Sequence, residues 1–294
     1  MILCKHNGHD AIGIVGKSDW SLPIPDFPNI PDDELKDYMY GLNLSNKEMW
    51  AARAKAFCNC GNIQPGKELY AEPHDHTAII VGAGPSLKEH INDLHEMESW
   101  GTHQTFGINR ACNVYPCMYN VSLDPVCTKD YHSTDEREDG YTRVLIMNTI
   151  TNPEIVLQYH PEARFMFNTN TSLIYSIEAH KHDYGFLFSH TNSIQATLHL
   201  VYRMGYRNVE FVGTEFCTYP GEPFYADGNA DISKEPIPIT VMIDGEEVET
   251  TLAMLRHARN IACSAYWLSE AGVKFTKPWG VLGHYMTMTE NLSG

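Results

Sequence analysis

The chain has 294 residues, 43% of them hydrophobic, with a formal net charge of −16. That length allows one large domain or two small ones with a sizeable core, and so strong an acid excess disfavours nucleic-acid phosphates where no Lys/Arg-rich run offsets it. No apolar run is long enough to cross a bilayer, and the opening MILCKHNGHDAIGIVG is polar where a signal peptide must be apolar, so a cytoplasmic protein without a membrane partner is the expectation.

The first 45 residues are rich in proline and aspartate (SLPIPDFPNIPDDE) and read as an irregular extension. SNKEMWAARAKAF, capped by Ser45, predicts a helix, and a turn-rich stretch then runs to Pro73. Residues 1–73 are therefore expected to form an extension, and 74–294 the main domain. Eight cysteines in a chain of this size do not make a disulfide scaffold, so free thiols or metal ligands are expected. Cys4, His6, His9, Cys58 and Cys60 fall in two short clusters, and HDH (His74, His76) follows. Ligands of this type suit a structural zinc, although the spacing is not that of a standard finger. Loop histidines and half-buried thiols would give the same pattern.

The rhythm changes at TAIIVGAGPSLKEHI, residues 77–91. AIIVG has the apolar continuity of a strand buried on both faces. Pro85 then opens a helix whose stripe is Leu87, Ile91, Leu94 and Met97. HQTFGIN, CMYNVSLD, RVLIMN, RFMFN and GFLFS read as further strands. TNSIQATLHLVYRMG reads as a helix capped by Thr191, Asn192 or Ser193 and stopped at Gly205. NVEFVG is again a strand, IPITVMIDGEEVET a hairpin about Asp244-Gly245, and TTLAMLRHARNIACSAYWLSEAG a long helix, followed by VKFTK. Alternation of this kind predicts an α/β, Rossmann-like fold: a mostly parallel sheet with helices on both faces.

In such sheets ligands bind beyond the carboxyl ends of the strands. Gly82, Ala83, Gly84, Pro85 and Ser86 follow the first strand, but they match neither G-x-G-x-x-G nor the phosphate-loop pattern. The two glycines would let backbone N–H groups approach a ligand, and the helix start favours an anion; a tight turn with no ligand would look the same. Asn109 stands where a nicotinamide site wants an acid, and Arg110 beside it could meet a phosphate. Asp124 in SLDP suits a base, a metal ligand, a ribose contact or a turn. Asn192 and Ser193 offer an amide and a hydroxyl at a helix start. Glu215, Tyr219, Tyr225 and Asp227 lie in the loop after NVEFVG, where tyrosines suit phosphate or sugar and carboxylates suit activation of a hydroxyl.

IIVGAGPSLKEHI, FGINRA, SLDP and NSIQATLHLVYRMGYRNVEFVGTEF together resemble one superfamily. It contains the motility-associated-factor proteins linked to flagellin glycosylation, the archaeal 6-hydroxymethylpterin diphosphokinase-like proteins, and similar bacterial sialyltransferases that use CMP-sialic acid. The resemblance covers residues 77–227. It implies nucleotide binding by the 82–86 turn and Asn109, with Asn192 and Ser193 near the sugar or phosphate. Tyr225 matches a phosphate-binding tyrosine of the sialyltransferases; the other falls at Cys217, with Tyr219 close by, and Glu215 replaces the usual Asp. The sialyltransferase catalytic histidine precedes the last long helix, whereas His257 lies inside it, so His257, Asp227 and Glu215 all stand as candidate bases.

The favoured expectation is a glycosyltransferase that moves a sugar from a nucleotide-sugar donor to a hydroxyl of a protein, glycan or modified nucleic acid. Helix starts and tyrosines would stabilise the leaving phosphate without an obligatory metal, in keeping with the lack of a D-x-D motif. The alternatives are an ATP-dependent diphosphokinase of the hydroxymethylpterin type, with Mg²⁺ on Asp124 and Asp227, and a non-catalytic nucleotide-binding module.

Overall fold

The computed structural model describes residues 5–6, 9–10, 63–123, 144–148, 151, 164–169, 183–188, 192–226 and 239–291. The expected helix over 45–57, the cap candidate Thr191, the zinc candidates Cys4, Cys58 and Cys60, and both Asp124 and Asp227 lie outside these residues. At the amino end, β1 (Lys5–His6) and β2 (His9–Asp10) pair antiparallel, with the backbones of His6 and His9 in register.

The main sheet is wholly parallel. Its strands are β3 (Gln64–Pro65), β4 (His74–Val81), β5 (His103–Ile108), β6 (Tyr119–Ser122), β7 (Val144–Asn148), β8 (Arg164–Thr169), β9 (Phe186–Leu187), β10 (Tyr206–Val212) and β13 (Lys274–Phe275). They run in the order β13-β10-β4-β5-β6-β7-β8, and β3 and β9 share the outer flank of β8. Residues 64–69 thus add a strand and a 3₁₀ turn to the sheet, from a segment the sequence grouped with the extension.

The buried run of β4 explains why this strand is central. Ile79 and Val81 pack to one side with Leu87, Leu94 and Tyr115, while Ala78 and Ile80 pack to the other with Phe106 and Leu198. Each fully buried Ile or Leu contributes about 1.5–3 kcal/mol, so neither face of this strand can be left wet. The first side is covered by α1 (Ile91–Ser99), the second by α2 (Ser193–Arg203) and α3 (Leu252–Glu270). On α3 the buried positions Ala258, Ile261, Ala262, Ala265 and Leu268 keep helical spacing.

Two elements depart from expectation. The helix predicted from Pro85 is a 3₁₀ turn over Pro85–His90 before α1 begins, tightened by the Leu87 N–H donating to the Gly84 carbonyl at 3.1 Å. The last helix, α4 (Gly280–Asn291), was not predicted; two glycines and two threonines hide it from propensity. The hairpin of β11 (Ile239–Ile243) and β12 (Glu246–Thr250) turns at Asp244-Gly245, both at positive φ, as expected. Cys112, Cys117 and Cys217 are buried free thiols, and Cys263 on α3 is disulfide-bonded, which departs from the expectation of free thiols or metal ligands.

Candidate functional site

β4 leads on to β5 and its successors on one side, while β10 and β13 lie on the other. The crevice beyond the carboxyl ends of β4 and β10 is therefore the topological switch point, where ligands of such sheets bind. The turn after β4 and the loop after β10 are stitched together there. The Gly82 N–H donates to the Val212 carbonyl and the Gly84 N–H to the Gly213 carbonyl, both at 2.8 Å.

Glu215 closes this stitching and is only 2% exposed. Its Oε1 accepts the Ser86 N–H at 2.8 Å, at the start of the 3₁₀ turn. Its carbonyl accepts the Val281 N–H at 2.9 Å, at the start of α4. A Cβ on Gly84 would stand 2.6 Å from the Glu215 carboxyl, so glycine is required there by the glutamate itself. Burial pushes the carboxyl pKa up, and the Ser86 N–H opposes that shift. The N–H groups of Gly82, Gly84 and Ser86 are thus satisfied within the protein. Ala83 is engaged through its carbonyl, which accepts the Ala226 N–H at 2.9 Å and latches the Tyr225-Ala226 segment over the turn. Pro85 fills the first position of the 3₁₀ turn.

Strained backbone and unpaired polar atoms are also found along the carboxyl ends of these strands. Asn109 and Phe216 hold φ of 49° and 56°, the left-handed region, directly after β5 and after Glu215. Such backbone persists only where its surroundings enforce it, and it clusters at functional sites. Among the described residues the buried Asn109 Oδ1, Ser122 Oγ and Thr214 Oγ1 have no hydrogen-bond partner. They sit at the carboxyl ends of β5, β6 and β10. Buried polar atoms are nearly always paired, so three along the carboxyl edge make that edge the candidate ligand site. Sequence reading found Asn109 and passed over Ser122 and Thr214, whose only signal was a hydroxyl beside a strand end.

The Arg110 guanidinium lies 4.7 Å from the centroid of the Tyr225 ring, which joins two segments read separately in the sequence. Asn192 is the cap of α2: its Oδ1 accepts the Gln195 N–H at 2.9 Å. Its Nδ2 therefore faces Nδ1 of His257 at 3.2 Å, bringing together two further candidates from α2 and α3. Gln195 holds the pair in place by donating to the Asn260 carbonyl and the Ser264 hydroxyl. Ser193 begins α2 behind this cap. Tyr219 points elsewhere: it is 49% exposed, its hydroxyl donates to Glu246 at 3.1 Å, and its ring lies 5.1 Å from that of Trp279. Among the described residues no group of three or more His, Cys, Asp or Glu is placed to hold a metal, and no helix is long and apolar enough to cross a membrane.

Residues 53–221, more than half of the chain, match the family described as 6-hydroxymethylpterin diphosphokinase MptE-like. The chain belongs to the MptE-like family. This agrees with the superfamily resemblance carried by its motifs. The MptE-like chain is also similar in fold to a MAf glycosyltransferase from Magnetospirillum magneticum AMB-1, with a TM-score of 0.50 and 12% identity. That likeness covers 79% of this chain and 40% of the other, so the MptE-like chain spans well under half of the larger protein. No curated protein matches the sequence at a significant level.

Proposed function

We propose that the protein is a glycosyltransferase that takes a sugar from a nucleotide-sugar donor and passes it to an acceptor hydroxyl. The observation that carries this reading is the Asn192–His257 pair. The Asn192 carbonyl oxygen is committed to the helix cap, so its amide donates to His257 Nδ1. The neutral ring then bears its proton on Nε2 and acts as a hydrogen-bond donor beside a helix N-terminus. A donor there suits a departing phosphate and makes a poor acceptor of a hydroxyl proton.

In the step, the bond from the anomeric carbon to the phosphate oxygen breaks and the bond from that carbon to the acceptor oxygen forms. The negative charge left on the phosphate meets His257 Nε2–H, the α2 N-terminus with Ser193, the Arg110 guanidinium and the Tyr225 hydroxyl. Asn109 Oδ1, Ser122 Oγ and Thr214 Oγ1 offer acceptors to the hydroxyls and amines of the nucleoside. Glu215 acts as a cap, which leaves Asp227, outside the described residues, as the base for the acceptor proton.

The family description favours a second reading, an ATP-dependent diphosphokinase, with Mg²⁺ on Asp124 and Asp227. Incubation with a nucleotide-sugar panel, and separately with ATP and hydroxymethylpterin, decides between them. Release of CMP or UDP supports sugar transfer. Release of AMP with neither of these overturns it, and tight nucleotide binding without turnover would make the protein a binding module.

A further inference from the structure

His74 and His76 stand two residues apart at the start of β4, at the opposite end of the strands from the crevice, so their side chains share one face of the sheet. Their ring centroids are 4.9 Å apart. Nε2 of His74 lies 3.0 Å from the Met204 carbonyl, at the end of α2. A carbonyl only accepts, so Nε2 carries the proton and Nδ1 presents its lone pair. That Nδ1 is shielded from solvent and has no hydrogen-bond partner.

A buried lone pair without a partner calls for a ligand. Metal-bound histidines almost always donate their second ring N–H to an oxygen acceptor such as a backbone carbonyl, which fixes tautomer and orientation, and the Met204 contact has that form. Zinc–nitrogen bonds of about 2.0–2.1 Å at a tetrahedral angle place two imidazole centroids about 5 Å apart. The His74–His76 spacing already fits. The carbonyl end of α2 adds a field that favours a cation. The nearby arginines are engaged elsewhere: Arg203 lies 4.2 Å from the Tyr70 ring centroid, and Arg207 donates to the Tyr202 and Tyr206 carbonyls.

We propose that His74 and His76 bind one divalent ion of the zinc class, with water completing its coordination. The ion braces a junction the backbone already forms, where the His74 N–H donates to the Gly205 carbonyl at 2.9 Å and the Ala71 N–H to the Arg203 carbonyl at 3.0 Å. The site lies at the start of β4, at the far end of the strand from the crevice assigned to the transfer reaction.

Metal-free full-length protein is titrated with Zn²⁺ against a chromophoric chelator, wild type beside His76→Ala. His76 is exposed, so the alanine variant keeps the strand intact. The alanine variant should lose one zinc equivalent, or bind it about tenfold or more weakly, and His76→Cys, which supplies another zinc ligand, should restore it. Equal uptake by wild type and His76→Ala overturns the proposal, wherever else zinc binds. Ring-nitrogen NMR gives a second reading: zinc should shift His74 Nδ1 and leave Nε2 protonated, and a titration that moves neither nitrogen overturns it as well.

Discussion

At Glu215 one buried residue serves two helix starts, its side chain at Ser86 and its carbonyl at Val281. Glu215→Ala strands the Ser86 N–H and should lower stability by about 1–3 kcal/mol, read as a fall in Tm. Glu215→Gln keeps an acceptor and the shape. Because burial raises the Glu215 pKa, the folded state holds a proton that the unfolded state has released, in the window from the ordinary carboxylate value up to the raised one. The stability due to this group is present below that window and is lost as pH rises through it. Gln cannot ionise, so Tm of Glu215→Gln minus wild type should grow across melts from about pH 4 to pH 8; a constant difference would show that the carboxylate does not titrate there. Gly84→Ala drives a Cβ into the same carboxyl, so its loss should fall short of additive with Glu215→Ala, by about 0.5–3 kcal/mol in a double-mutant cycle. Strict additivity would sink the contact. Tyr225→Phe keeps the ring that carries Arg110 and removes only the hydroxyl. If that hydroxyl meets the leaving phosphate, kcat should drop about a hundredfold, by analogy with the loss of one oxyanion donor, with acceptor KM nearly unchanged. A rise in acceptor KM at constant kcat would move the loop to the acceptor site.

Among the elements, those with a local signature were legible. β4 and β10 announced themselves as apolar runs ending in glycine, α2 through its capping residues and the glycine that stops it, α3 as one long helical run, and the β11–β12 hairpin through Asp244-Gly245. α4 was not legible, because its start is fixed by the Glu215 carbonyl and by Gly280 rather than by a capping side chain. The site was read as strand ends but not as pairs, since Ser86 meets Glu215 across 129 positions and Asn192 meets His257 across 65. No window of sequence carries such partners. Gly280 has φ of 84°, and a Cβ there would meet Cys217 Sγ at 2.7 Å and Glu215 Cβ at 2.8 Å. Gly280→Ala should cost about 1–3 kcal/mol and raise hydrogen exchange across 280–291; unchanged exchange there would free α4 from this anchor. Asn192→Asp keeps the cap acceptor for Gln195 yet turns the group facing His257 from donor to acceptor. It should move the His257 proton to Nδ1, visible by ring-nitrogen NMR, and lower turnover while Tm stays close to wild type. Turnover equal to wild type with the proton moved would remove His257 from the leaving-group role.

Across the whole molecule a net charge of −16 sets a self-repulsion that salt relieves. Tm should rise between low salt and about 0.15 M, where the Debye length is about 8 Å, and a flat or falling Tm would show that the carboxylates are already locally balanced. The strand order has a further consequence, in time rather than space. Thr77 of β4 pairs with Asn208 of β10, and every strand from β5 to β9 lies between them in the chain. During synthesis β4 to β8 can associate as they emerge, but one wall of the switch-point crevice is still inside the ribosome. The crevice exists only after β10 docks, and Glu215 then locks a turn made more than a hundred residues earlier. A chain stalled before residue 206 can therefore carry much of the sheet and yet lack the crevice, so formation of the crevice reports completion of the fold and not merely its onset.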